Sequence, residues 1–223
     1  MTDITRNINK IKAELPSGVK LVAVSKYHPV EQLQEAYAAG QRLFGESHAQ
    51  ELTAKAPQMP DDVEWHFIGH LQRNKVRAII PIVSIIHSVD SIRLLDTIEK
   101  EAKRIGKVIS VLLQLHVAKE EAKSGFSVDE LIALARSGAF SKYENIRFCG
   151  LMAMATFTDD QELIKEEFAS VGQTFRTLRS EKLFSTHTFT EISMGMSDDW
   201  HIAVEEGATI VRIGTEIFGP RQY

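Results

Sequence analysis

The chain has 223 residues, 43% of them hydrophobic, and its 26 basic and 30 acidic side chains leave a formal net charge of -4. That length can bury a full core and fits one large α/β domain over 1–223 better than two small ones, while the acidic balance offers no basic footprint for nucleic acid. No apolar run is long enough to cross a membrane, Met1 to Arg6 shows no secretion signal, and a lone cysteine, Cys149, excludes an intramolecular disulfide and suits a reducing cytoplasm, which is the expected location.

In chain order, hydrophobic periodicity predicts a helix over 4–14, a strand over 20–25, a helix over 29–40, a strand over 42–45, a helix over 48–56 and a strand over 64–68. The alternation continues with a helix over 73–80, strand 82–87, helix 91–105, strand 108–117, helix 128–138, strand 146–152, helix 160–181, strand 188–194, helix 198–206 and strand 209–213. Pro29 suits a first helical position and Ser91 and Ser127 suit caps, while Gly40, Gly106 and Gly207 fall where helices should stop. Cys149, inside an apolar strand, reads as a small core residue rather than a nucleophile.

Strands that are apolar on both faces and separated by helices imply parallel pairing through right-handed crossovers. Eight such units in this length describe a single (β/α)8 TIM-type barrel with an extra N-terminal helix. An open doubly wound sheet would more often carry a glycine-rich phosphate turn after its first strand, and Ser25-Lys26-Tyr27-His28-Pro29 contains no glycine.

The first strand ends in a lone amine, Lys26, at the end of a barrel strand where chemistry is usually kept. Partial burial there favours the neutral, carbonyl-attacking form, although a strand-end lysine can also simply reach into water. After strands seven and eight, Ser193-Met194-Gly195-Met196-Ser197 and Gly214-Thr215 each combine a glycine with a hydroxyl, a pattern suited to holding phosphate. Ordinary capping by Ser197 and Thr215 is the plainer explanation, and it is the expectation for Ser197. Arg212, inside the apolar run Thr209 to Gly214, must be paired or face a ligand; a structural ion pair with a carboxylate and a ligand contact at the barrel mouth both satisfy that need.

These residues belong to a set of motifs in fixed order. Ala23-Val24-Ser25-Lys26, Phe44-Gly45-Glu46, Trp65-His66-Phe67-Ile68-Gly69 with Leu71-Gln72 and Asn74-Lys75, Lys123-Ser124-Gly125-Phe126, Gly150-Leu151-Met152, Ser193 to Asp199, and Val211 to Thr215 with Phe218-Gly219 resemble the pyridoxal phosphate homeostasis protein family. The resemblance implies a barrel similar to the amino-terminal domain of alanine racemase, holding pyridoxal 5'-phosphate as a Schiff base on Lys26. It implies that the phosphate lies against Ser193, Met194, Gly195 and Met196 and against Gly214 and Thr215, with Arg212 facing the pyridine nitrogen. Because an arginine donates only, that nitrogen would stay unprotonated and the cofactor would be a weak electron sink.

The implied function is intracellular cofactor homeostasis as a carrier or regulator without catalytic turnover. The small-molecule cofactor is the expected partner, with transient contact to pyridoxal-phosphate-dependent apoenzymes, and a monomer is expected over a dimer. The sequence reaches Tyr223 directly after the barrel, so a second domain supplying a catalytic tyrosine is not expected. A racemase-like enzyme using the cofactor on amino acids, and a cofactor-free Schiff-base aldolase, are the alternatives that also explain Lys26.

Ser47, His48, His70, Arg73 and His116 depart from the family pattern near the predicted barrel mouth. A metal held by His66, His70 and His116 is disfavoured by their spacing, so no metal is expected. Lys75 and Lys123 are candidates for a second, transient amine; Lys75 is better explained as a solvated loop residue, and Lys123 is the stronger of the two.

Overall fold

The computed structural model describes residues 3–118 and 124–220. Helix α1 (Asp3–Glu14) precedes β1 (Lys20–Val24), after which strands and helices alternate: α2 (Val30–Ala38), β2 (Leu43–Glu46), α3 (Ala49–Lys55), β3 (Glu64–Phe67), α4 (Arg73–Ile79), β4 (Ile85–Val89) and α5 (Ile92–Ile105). The series closes with β5 (Ile109–Gln114), α6 (Val128–Arg136), β6 (Ile146–Met152), α7 (Gln161–Ser180), β7 (Glu191–Ser193), α8 (Trp200–Glu205), β8 (Ile210–Ile213) and the short α9 (Thr215–Phe218).

The eight strands form one closed parallel barrel in sequence order. Its last seam pairs β8 with β1, with Lys20 opposite Ile210 and Val22 opposite Arg212. The helices bury one face each against the outside of this sheet, as the amphipathic pattern requires. In α5 that face is Leu94, Leu95, Ile98 and Ala102, and Ser91 starts the helix by accepting from the Leu94 N–H at 3.3 Å. Ser127 caps α6 in the same way at 3.1 Å from the Glu130 nitrogen. Cys149 is buried, and burial pushes its thiol pKa up, in keeping with a core residue.

Several boundaries differ from the sequence reading for local reasons. The fourth strand begins at Ile85 rather than 82, because the Ile82 and Val83 N–H groups both turn back to Ile79 O at 2.9 Å. The fifth ends at Gln114, where Leu115 leaves the ladder to bridge Phe126. The seventh shrinks to Glu191–Ser193, since the Thr188 and Phe189 N–H groups close a turn on Ser185 O. Pro29 stands at the cap of α2, one position before the helix. Lys123 and Tyr223 lie outside the described residues.

One irregularity is built on glycine. Between β5 and β6 the register runs from Val111 opposite Phe148 to Leu112 opposite Gly150, so Cys149 is skipped as a bulge. Gly150 takes φ +151, and a Cβ on it would lie 1.8 Å from Glu191 O in the neighbouring strand. Gly150→Ala is expected to cost at least about 3 kcal/mol, read as a lower urea midpoint at unchanged slope.

Candidate functional site

Beyond the last residue of β1 the chain turns sharply through Lys26, and Tyr27 adopts a left-handed backbone at φ +66. A non-glycine residue in that region must be held there. The Tyr27 N–H donates to Glu51 Oε2 at 2.8 Å, and the same oxygen accepts from Lys55 Nζ at 2.7 Å. Lys55 Nζ also donates to Ser25 O and to Glu46 Oε1, both at 2.8 Å, and Ser25 Oγ donates to Glu46 Oε1 at 2.7 Å. A buried cation, two carboxylates and a hydroxyl thus clamp the residues on both sides of Lys26. Burial pushes the Glu46 carboxyl pKa up against the pull of Lys55, so the pair is held in a costly environment and depends on both partners.

Lys26 is half-buried and lines a cavity of about 330 Å3 at the carboxyl ends of the strands. Arg212, Gly214 and Thr215 line the same cavity, so the two ends of the chain meet there through the β1–β8 seam. Arg212 is buried, and its Nη1 donates to Ser193 Oγ at 2.6 Å and its Nη2 to Ala153 O at 3.0 Å. No carboxylate among the described residues forms an ion pair with it, which sets aside the structural ion pair. Burial lowers its pKa to about 10 against the pull of Asp199, leaving it protonated at neutral pH.

The segment after β7 is shaped by Gly195, whose φ is +95 and whose missing side chain would meet Ala203 Cβ at 2.7 Å. Asp199, not Ser197, stands at the cap position of α8, and its Oδ1 accepts from the Met196 N–H at 2.5 Å. A carboxylate two residues further on closes this loop, which is why the expected Ser197 cap is not formed. Thr215 makes no side-chain cap either; Gly214 precedes α9. Among the described residues the N–H groups of Gly195, Ser197 and Thr215 donate to no protein atom. Three unused donors on two adjacent loops, beside a buried guanidinium, are chemically suited to an anionic group.

The predicted residues do not all reach the cavity. Lys26, Arg212, Gly214 and Thr215 line it, with Met196 and Ser197 from the β7–α8 loop. Ser193 is fully buried behind Arg212, and Met194 packs in the core with its N–H committed to Ile210 O at 3.2 Å. Among the departures, Ser47 lines the cavity, His48 Nδ1–H donates to Glu51 Oε1 at 3.0 Å and its ring lies 5.3 Å from the Tyr27 ring, and His70 pairs with Asp90 at 3.3 Å. His66 and His70 do not converge, since His66 is inside the barrel with its Nδ1 2.8 Å from His87 Nε2. Lys75 sits in α4, which Arg73 begins, and His116 donates its N–H to Phe126 O.

Two features were missed in the sequence. Lys55 carries no signal of its own, being one lysine on a short amphipathic helix. His87 was visible as a histidine in an apolar strand; it is fully buried, with Nδ1 2.9 Å from Ser193 Oγ. The larger cavity, about 840 Å3, opens at the opposite mouth, away from Lys26 and Arg212. The strand ends that carry the amine and the free N–H groups make the smaller cavity the candidate site.

The alanine racemase N-terminal domain family matches residues 1–222. A relative named pyridoxal phosphate homeostasis protein, from Vibrio alginolyticus, is 36% identical over 241 residues, covering 100% of both chains. The chain belongs to the pyridoxal phosphate homeostasis protein family. Among solved structures of that fold, PipY of Synechococcus elongatus with pyridoxal phosphate bound is 35% identical, superposes with a TM-score of 0.87, and is matched over 97% of this chain and 100% of its own. Alanine racemase from E. faecalis shares the fold at 17% identity and a TM-score of 0.74, with 58% of that chain covered. The Vibrio relative and PipY thus match almost end to end, whereas the racemase extends well beyond the shared barrel.

Lys55→Met should destabilise the chain by about 3–5 kcal/mol in urea unfolding, because it strands the Glu46 carboxylate in the interior. A second outcome concerns acid. Burial lowers His66 to about 3, and the unfolded value is near 6.5, so the unfolded chain binds more protons between those pH values. The contribution is therefore present above pH 6.5 and lost as pH falls towards 3. Urea unfolding at pH 5 is expected to show about 2 kcal/mol less stability from His66 than at pH 7.

Proposed function

We propose that this chain binds pyridoxal 5'-phosphate at the carboxyl-end mouth and acts in intracellular cofactor homeostasis, as a carrier or regulator rather than a catalyst. The observation that carries this reading is the meeting, in one cavity of about 330 Å3, of Lys26 and a buried Arg212 that forms no ion pair among the described residues, in a chain whose relative PipY has been solved with that cofactor. When bound, the cofactor supplies an electrophilic aldehyde that a primary amine can hold reversibly.

Each group of this chain has a part in that holding. Lys26 provides the amine, and the Glu46–Lys55–Glu51 clamp fixes the turn that presents it. The free N–H groups of Gly195, Ser197 and Thr215, with the Thr215 hydroxyl, would be the donors for the phosphate, Gly214 would let backbone come close, and Ser193 would act only by holding Arg212. Met194 contributes through the path of the loop rather than through its own N–H. Arg212 would meet the ring of the cofactor as a donor that cannot transfer its proton, and the cofactor would then be a poor carbanion stabiliser.

The absence of turnover is supported by the lining itself. Its titratable groups are Lys26, His28, Asp198 and Arg212. His28 is occupied, with Nδ1 2.9 Å from Gln32 Oε1 and its ring stacked 4.9 Å from Phe218. A racemase needs an acid and a base on opposite faces of one carbon, and no tyrosine among the described residues lines the cavity to supply one of them. Transient delivery to apoenzymes follows from the reversibility of an amine–aldehyde link, and the site sits in the one barrel domain.

Adding pyridoxal phosphate to the purified chain should produce a visible absorbance band, and borohydride reduction followed by peptide mapping should place the label on Lys26. Lys26→Ala should abolish the label, and Arg212→Met should weaken binding by roughly tenfold or more. A label on another lysine overturns the site. Steady turnover of an amino acid that disappears in Lys26→Ala overturns the carrier reading in favour of an enzyme, and the lack of any band favours a cofactor-free aldolase.

A further inference from the structure

The cavity at the amino-terminal mouth, about 840 Å3, is lined by the first residues of the strands and by the end of α1. One of its lining groups is His66, 4% exposed. From it a string of hydrogen bonds crosses the barrel: His66 Nδ1 to His87 Nε2 at 2.8 Å, His87 Nδ1 to Ser193 Oγ at 2.9 Å, and Arg212 Nη1 to the same hydroxyl at 2.6 Å. The other ring nitrogen, His66 Nε2, has no hydrogen bond among the described residues, yet it is not among the sealed, unpartnered atoms of the interior. It therefore faces the cavity.

The rim adds charge. Lys20 pairs with Glu191 at 2.6 Å, and Arg42 pairs with Asp62 at 2.8 Å. Lys12 Nζ reaches only Gly40 O, at 3.3 Å, and forms no ion pair with a carboxylate among the described residues. Burial and the neighbouring Arg42 both lower its pKa, so a negative ligand would relieve it. Glu64, also on the rim, sets a limit on how much negative charge fits. We propose that the amino-terminal mouth is a second binding site, for a small carboxylate anion, and that the His66–His87–Ser193 string couples it to the mouth holding Lys26.

The coupling follows from proton counting. Both histidines are buried and neutral, so each carries one ring proton. Arg212 only donates, and its bond to Ser193 Oγ is the same in every arrangement. Two self-consistent arrangements remain. In one, His66 Nδ1–H donates to His87, His87 Nδ1–H donates to Ser193, and the hydroxyl proton is free. In the other, Ser193 O–H donates to His87, His87 Nε2–H donates to His66, and His66 Nε2–H points into the cavity. A carboxylate accepting from His66 Nε2–H selects the second arrangement and leaves Arg212, which lines the other mouth, as the sole donor to the Ser193 oxygen, so the guanidinium is held more firmly away from a ligand there. The exchange takes one proton from water in the amino-terminal cavity onto His66 Nε2 and returns one to water from the Ser193 end, so the string holds three protons in both arrangements, and by linkage the two ligands weaken each other equally.

The coupling half of this inference rests on the cofactor reading, whereas the site itself does not. Malonate titrated into the cofactor-free chain labelled with 15N-histidine should shift the His66 ring nitrogens saturably, and Lys12→Ala should weaken that effect. With malonate saturating, pyridoxal phosphate should bind about two- to tenfold more weakly to the unaltered chain, the range of one neutral hydrogen bond. In His87→Phe malonate should still move His66 but leave the cofactor affinity unchanged. Unmoved His66 nitrogens overturn the site. An equal loss of cofactor affinity in His87→Phe means direct competition and overturns the coupling; should that variant not fold, an equal loss in Lys12→Ala at the malonate concentration that half-saturates the unaltered chain does the same. A chain that binds no pyridoxal phosphate at all refutes the cofactor reading, and the His66 shift still decides the second site.

Discussion

The seam where β8 pairs with β1 is the constraint on which the candidate site depends. Parallel pairing sets Val22 opposite Arg212, so the residues that continue each strand emerge side by side at the same end of the barrel. Lys26 comes from one of those exits and Gly214 and Thr215 from the other; a Cβ on Gly214 would already touch Val24 O at 3.1 Å. An open sheet of the same strands would leave the first and last on opposite edges, with the amine and the guanidinium apart. Closure is what converts two strand ends into one cavity.

Inside the barrel, apolar and polar packing divide the volume. Ile85, Leu112, Cys149 and Met152 form an apolar cluster, and beside it runs the string from His66 to Arg212. A buried polar string is tolerable only when its members satisfy one another. Neutral histidines meet that condition beside a guanidinium because they add no second positive charge, and burial lowers the pKa of both. On the outside of β2, the Glu46–Lys55 pair obeys the opposite rule, with two charges that must both be present. The mouth that carries Lys26 is thus supported from within by a satisfied hydrogen-bond string and from without by an ion pair.

The barrel was largely legible, because strands buried on both faces read as apolar runs and the intervening helices show their own period. Lys26 was legible for the same local reason: it stands at the end of such a run. Arg212 could be seen as a charge needing a partner, but its partners could not. They are Ser193 of β7 and the Ala153 carbonyl just beyond β6, whereas a carboxylate was the alternative to a ligand contact. The Ser197 cap failed because a cap depends on which of several nearby acceptors the backbone actually turns towards, and Asp199 is the one it meets. Lys55 and His87 were illegible as functional supports, since each acquires its meaning only from a residue on another strand.

What the sequence by itself determined is the order and type of the elements, the strand-end amine, the glycines of the two loops and the family. These are properties of short stretches, fixed by side-chain period and backbone freedom within a few residues. What only the tertiary structure decided is which groups share the cavity, which N–H groups remain unused, and how a neutral string joins its two mouths. Those depend on distances between strands, and such distances are set by barrel closure and register, which bring together residues that have no contact along the chain.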